Sequence, residues 1–203
     1  MKLYNSVGPN PQVVRTFMAE RGTVIDMEKI DIIAGANRTP EFLAVNPGGQ
    51  LPVLMLDDGS ILTEITAICE YLDETQPGAS LIGATPEERA QTRRWTRWVD
   101  LNVVDPITMS FRGAEGLTLF KDRLRCLPEA AAGLKAVVQD NLRWLNDQMH
   151  GKTFLAGDRF SLADIVLFSF LAFGETVGQS RNPDFGNINA WFERIKGRKS
   201  ASA

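Results

Sequence analysis

The sequence predicts an α/β N-terminal domain over residues 1–80 joined to an all-α C-terminal domain over residues 86–203. Three observations carry this. The first ~80 residues mix the two-residue and 3.6-residue hydrophobic periods, whereas the remaining residues are helical in spacing almost throughout. Two apolar runs in the first part flank an Asp58-Gly59 turn, a hairpin signal that makes them an antiparallel pair. Gln76-Pro-Gly-Ala-Ser80 is then a loop of the kind that separates domains, and Pro86-Glu-Glu-Arg opens a long helix with acids in its first turn.

The elements come in order along the chain. Met1 to Tyr4 is a short strand, and Ser6-Val-Gly-Pro-Asn-Pro11 is turn chemistry. A helix starts with Asn10 as N-cap and Pro11 at its first position, buries Val13, Val14, Phe17 and Met18, and ends at Gly22. Val24 to Ile33 is a second strand reached through that crossover helix, hence parallel to the first. Thr39 caps a short helix to Val45, and Asn46-Pro-Gly-Gly breaks it. Leu51 to Leu56 and Ser60 to Leu62 are the hairpin strands, and Glu64 to Thr75 has helical spacing through Ile65, Ile68, Tyr71 and Leu72. In the second part Trp95, Trp98, Leu101 and Val104 or Asp105 line one stripe, Pro106 kinks or ends that helix, and Pro128 to Met149 repeats the pattern. A helix starts at Ser161, and a last one carries Ile188, Trp191, Phe192 and Ile195.

Composition narrows the chemistry. The 203 residues carry 22 Lys plus Arg against 25 Asp plus Glu, a net charge of -3 without a block of one sign, which argues against nucleic acid as a partner. Two cysteines, Cys69 and Cys126, and one histidine, His150, supply neither a disulfide framework nor a tetrahedral metal set, so no metal is expected. The opening residues lack a signal-peptide pattern, and the longest apolar run, Ile165 to Phe173, is far short of the ~20 residues needed to span a bilayer. A cytoplasmic protein without a membrane partner is the expectation.

Five places hold candidate chemistry. Ser161 and Asp164 form a capping box at the start of an element apolar on all sides, a structural device. Leu51-Pro52 is either a strand-start proline or, with a cis bond, a point where the Leu51 N–H and C=O receive a peptide-like ligand. Glu64 is a first-turn acid or a ligand for an amine, and the neighbouring Ile65 and Thr66 amides suit a carboxylate. Asn10 is a helix cap whose amide NH2 remains a donor, and a donor beside a positive helix end stabilises a thiolate. Ser6, on the same loop, is the competing donor.

Taken together, the Lys2-Leu-Tyr strand, the Asn10-Pro11 helix ending Phe17-Met-Ala-Glu-Arg-Gly22, Thr39-Pro-Glu-Phe-Leu-Ala-Val-Asn-Pro47, Gln50-Leu-Pro52, Asp58-Gly59, Thr63-Glu64 and Gly157-Asp-Arg-Phe-Ser-Leu-Ala-Asp164 form a recognisable set. The chain resembles a cytosolic-type bacterial glutathione S-transferase over nearly its whole length. The resemblance implies an α/β thioredoxin-like N-terminal domain that binds glutathione as cosubstrate, an all-helical C-terminal domain contributing a site for a small hydrophobic electrophile, and a homodimer. Carried over by position, the Leu51 backbone before cis-Pro52 pairs with the cysteinyl part, Gln50 lies near the glycyl carboxylate, and Glu64 meets the γ-glutamyl end. Ile65 stands where many relatives have Ser and gives only its N–H. The catalytic loop has no Cys; its Pro9-Asn10 pair looks like a subgroup in which an Asn amide contacts the glutathione sulfur, which places Asn10 first and Ser6 second. The implied activity is conjugation of glutathione to the electrophile. The alternatives are a glutathione-dependent disulfide or peroxide reductase and a non-catalytic protein-binding module. For the electrophile, Trp98, Val104, Met109, Phe111 and Leu117 are candidates, with Arg112 to attract an anion.

Overall fold

A computed structural model describes residues 1–203, which divide into two compact units, Met1–Ile82 with Ser202–Ala203 and Gly83–Ala201. The last two residues therefore belong with the first unit.

The first unit is a four-stranded mixed sheet of order β2-β1-β3-β4 with three helices. Its strands are β1 (Lys2–Asn5), β2 (Asp26–Lys29), β3 (Val53–Met55) and β4 (Ile61–Leu62), and its helices are α1 (Pro9–Arg21), α2 (Pro40–Val45) and α3 (Ile65–Thr75). β1 and β2 are parallel through the α1 crossover, while β1–β3 and β3–β4 are antiparallel. The strand expected over Val24–Ile33 contracts to the four residues, all exposed, that pair with β1 at the edge of the sheet. The hairpin strands are likewise shorter than Leu51–Leu56 and Ser60–Leu62. Leu3, Val13, Val14, Phe17, Val53, Leu54, Ile68 and Leu72 are fully buried and make the core. Arg21 is buried with them: its guanidinium pairs with Asp73 at 2.6 Å and donates to the carbonyls of Leu72, Asp73, Gln76 and Ala79, tying the end of α1 to the end of α3.

The second unit is helical: α4 (Pro86–Val99), α5 (Asp105–Gly113), α6 (Leu117–Phe120), α7 (Ala131–Gln148), α8 (Leu162–Thr176) and α9 (Gly186–Lys196). A single π turn, Asp100–Val104, joins α4 to α5. Pro106 has no N–H for the Asn102 carbonyl, which accepts instead from Asn141 Nδ2 of α7 at 2.8 Å. The widened turn also rotates the helix phase, so Val103 and Val104 go inward and Leu101, expected on the buried stripe, is 47% exposed. Trp98 stacks on Trp144 at 4.7 Å. α8 is buried around nearly its whole circumference, as its sequence requires. Its capping box is present, and the buried Asp164 carboxylate extends it by accepting from the Ser161 N–H and hydroxyl, the Leu155 N–H and the Trp191 Nε1–H, each at 2.9–3.0 Å. No helix is long and apolar enough to cross a membrane.

Candidate functional site

One end of the sheet gathers the candidate residues of the first unit. The β1–β3 register pairs Tyr4 with Val53. Extended outward, it sets Ser6 opposite Leu51. The β3–β4 register pairs Leu54 with Leu62, and its extension sets Pro52 opposite Glu64. The loop after β1, the Leu51-Pro52 step and the start of α3 thus lie in one row, beyond the C-terminal ends of the parallel pair.

Asn10 is not the cap. α1 begins a residue earlier than expected: Gly8, at φ 107, occupies the N-cap position without a side-chain bond, and Pro9 takes the first helical position, for which its fixed φ is suited. Asn10 falls in the first turn. Its partly exposed side-chain amide makes no hydrogen bond within the chain, and because Pro9 and Pro11 lack N–H groups, the Asn10 N–H is the one backbone donor before the Gln12 N–H, which bonds Gly8 O at 3.2 Å.

Ser6 is only 4% exposed, and its hydroxyl donates to the Ile30 carbonyl at 2.6 Å. A hydroxyl has one proton, so Ser6 holds the loop to the chain after β2 and has none left for a sulfur. Arg15 completes the brace: Nη1 donates to Asn5 Oδ1 at 2.7 Å and to the Ser6 carbonyl at 2.9 Å, and Nη2 to Gln12 Oε1 at 2.6 Å.

The Leu51–Pro52 bond is cis. Leu51 packs its side chain with Phe42 and Val53, beside Tyr4, Ile30 and Val45, while its N–H and C=O find no partner in the chain. The preceding loop is pinned from both sides: Asn37 Nδ2 donates to the Gly49 carbonyl at 2.6 Å and Asn46 Nδ2 to the Gln50 carbonyl at 2.9 Å. The Gln50 side chain remains exposed. Arg38 lies across Gly49, where a Cβ would come within 2.8 Å of Nη1, so a cation stands next to Gln50.

Glu64 is the N-cap of α3 and the only non-glycine residue at positive φ, 70° with ψ 121°. Its side chain is exposed and caps nothing. The Ile65, Thr66 and Ala67 amides make no bond in the chain, and the first intrahelical bond runs from Ile68 N to Glu64 O. A carboxylate and three free donors at one helix start fit a zwitterion: amine at Glu64, carboxylate on the amides.

Sequence reasoning missed Arg15, Asn37, Arg38 and Asn46. Asn46-Pro-Gly-Gly carries a breaker signal, but no periodicity announces that an Asn amide supports a loop carbonyl four residues on. In the second unit Val104 is buried, Met109 is 42% exposed, and Phe111 is held edge-on by Phe120 and Phe173 while the Arg112 guanidinium covers Phe120. Cys69 is fully buried, which pushes its thiol well above the usual range, so it is a packed apolar group. His150 is exposed at a helix end, and no group of His, Cys, Asp and Glu able to hold a metal ion occurs.

A thioredoxin-like unit with a free backbone edge before a cis-proline, followed by a helical unit, is the architecture of the glutathione S-transferase fold. Residues 7–75 match the glutathione S-transferase N-terminal domain and residues 126–199 the C-terminal domain. The chain is 31% identical over 211 residues to Glutathione S-transferase 2 of Saccharomyces cerevisiae, with 98% of this chain and 87% of that protein covered. A crystal structure of a glutathione S-transferase domain-containing protein from Marinobacter aquaeolei superposes at a TM-score of 0.92, with 34% identity over 99% of this chain and all of that one. Human elongation factor 1-gamma is 32% identical over 158 residues, 77% of this chain, but the match spans only 34% of that protein's length. The chain belongs to the glutathione S-transferase family.

Proposed function

We propose that the protein conjugates the thiolate of glutathione to a small hydrophobic electrophile. The observation that carries this reading is the row of unused polar groups at one end of the sheet: the Asn10 amide, the Leu51 N–H and C=O, the Ile65, Thr66 and Ala67 amides and the Glu64 carboxylate. Glutathione is an extended peptide with a carboxylate at each end and an amine at one. Its cysteinyl unit pairs with Leu51 as an added strand before cis-Pro52. The γ-glutamyl end lies on Glu64 and the α3 amides, where Ile65 contributes its N–H, and the glycyl carboxylate reaches Gln50 and Arg38.

The thiol then lies by the start of α1. A free thiol has a pKa of about 8.5, and a hydrogen bond from the Asn10 amide with the positive helix end lowers it toward neutrality. The thiol gives its proton to solvent, and the thiolate attacks the electrophile, its sulfur forming the new bond as the leaving group departs with its electron pair. No protein Cys or His is needed. The electrophile is assigned to the helical unit, with Trp98, Met109, Phe111 and Leu117 as apolar groups and Arg112 as an anchor for an anionic one; the protein works as a cytoplasmic homodimer.

Two measurements test the reading. Saturating glutathione should raise the melting temperature, since a ligand at 100 times its Kd adds about 2.7 kcal/mol to the native state. The protein should also turn over a chloronitrobenzene with glutathione; activity on a glutathione-coupled disulfide substrate alone would sink the conjugation. Similarity to elongation factor 1-gamma favours one second reading, a non-catalytic protein-binding module, and an unchanged melting temperature at millimolar glutathione would select it.

A further inference from the structure

We propose that Arg15 is the positioning residue of the thiolate site, a clamp that fixes the loop after β1 and the first turn of α1 relative to each other. The guanidinium uses all three nitrogens. Nη1 holds the end of β1 and the start of the loop through Asn5 Oδ1 and the Ser6 carbonyl, and Nη2 holds Gln12 Oε1 on its own helix. Nε donates at 3.2 Å to the carbonyl of Ala203, which also accepts from Gln12 Nε2 at 2.8 Å, so residue 203 of the chain is drawn onto α1 at the same point. Gln12 is fixed further by its Nε2 contact with Thr16 at 3.1 Å.

The clamp brackets the helix start. Its anchors are residues 5 and 6 on one side and 12 and 15 on the other, and between them lie Val7, exposed Gly8 and Asn10. The segment needs such a clamp, because its helix start has no side-chain cap and Pro9 and Pro11 remove two of the amides that could hold it. Arg15 touches no reacting atom in this arrangement. It acts through Asn10, and in that respect the inference rests on the proposed role of Asn10.

A planar fork reaches four acceptors in three directions, which an ammonium on a flexible stem cannot do. Arg15→Lys should therefore behave nearer to Arg15→Ala than to the native protein, and Gln12→Ala, which removes one acceptor of the fork, should give a milder effect. The experiment reads the ultraviolet absorbance of bound glutathione thiolate at neutral pH, kcat and KM for conjugation, and hydrogen exchange over residues 5–12. Arg15→Ala and Arg15→Lys should lower the thiolate absorbance and kcat several-fold with KM for glutathione changed less than twofold, and should quicken exchange in that segment. Asn10→Ala, measured beside them, should lower the absorbance without quickening exchange. Unchanged absorbance in Arg15→Lys and Gln12→Ala, with Asn10→Ala still lowering it, would overturn the clamp alone. A loss in the Arg15 variants with none in Asn10→Ala would remove Asn10 from the site and leave Arg15 positioning the helix start. No loss in any of them would overturn both.

Discussion

Glu64 joins a backbone cost to an exposed acid. A non-glycine residue at φ 70° and ψ 121° is strained by about 1–3 kcal/mol, and the side chain offsets none of this within the chain. Glu64→Gly should stabilise the fold by about 1 kcal/mol in chemical denaturation. The same variant should lose most of the glutathione-induced thermal shift, and a variant that keeps the full shift would remove Glu64 from the amine site. Asp164 is the opposite kind of acid. Burial pushes its carboxyl up while four donors, on Leu155, Trp191 and twice on Ser161, pull it down. Asp164→Ala leaves those donors buried and unpaired, and a loss of about 3–5 kcal/mol is expected. Thiol labelling gives a third check: the native protein should react once, at partly exposed Cys126, and twice only after unfolding, because Cys69 is both inaccessible and held neutral.

Helix ends show what a sequence reveals of its elements and what it hides. Thr39 and the Ser161–Asp164 box are local devices, readable because the cap and its target sit three residues apart. Thr85 caps α4 with the same spacing, a cap not among the signals that place the start of that helix at Pro86. The hairpin at Asp58-Gly59 and the parallel β1–β2 pair are legible for a similar reason, a turn signal in one case and a crossover in the other. α9 is different. Its own N-cap residue, Phe185, has no capping side chain, and the Asn146 Oδ1 of α7 accepts instead from the Asn187 and Ile188 amides at 2.9 and 3.2 Å. Nothing in the spacing of 146 and 187 announces this, since the pair is made by packing. Asn146→Ala should cost about 1–2 kcal/mol, as loss of a cap does, with conjugation unchanged at temperatures where the variant is folded. The start of α1 is intermediate: its turn chemistry and a proline are visible, but two Asn/Pro pairs overlap at 9–11, and only Gly8 at φ 107 decides that Pro9 rather than Pro11 opens the helix. Ser6 shows the same limit at the site, because its commitment to Ile30 O depends on strand pairing that no local pattern contains.

For the whole molecule, charge and covering surface bear on assembly. From residue 64 to 75 the chain carries Glu64, Glu70 and Glu74 beside Asp73, which is spent on buried Arg21, and no base, whereas from 89 to 97 it carries Arg89, Arg93, Arg94 and Arg97 and no acid. Trp144, Leu101 and Val137 add exposed apolar area on the second unit. Opposite charges and exposed apolar groups on one chain suit self-association, so sedimentation should return twice the chain mass of 22.5 kDa, and a monomer at micromolar concentration would rule out the proposed dimer. The two prolines that bracket Asn10 have a last consequence, for spectroscopy rather than chemistry. Pro9 and Pro11 contribute no amide signal, so in a proton–nitrogen spectrum the opening of α1 is represented by one backbone resonance and one side-chain NH2 pair, both from Asn10. Titration with glutathione and then with its S-methyl derivative makes that residue a built-in probe of whether a sulfur anion has arrived.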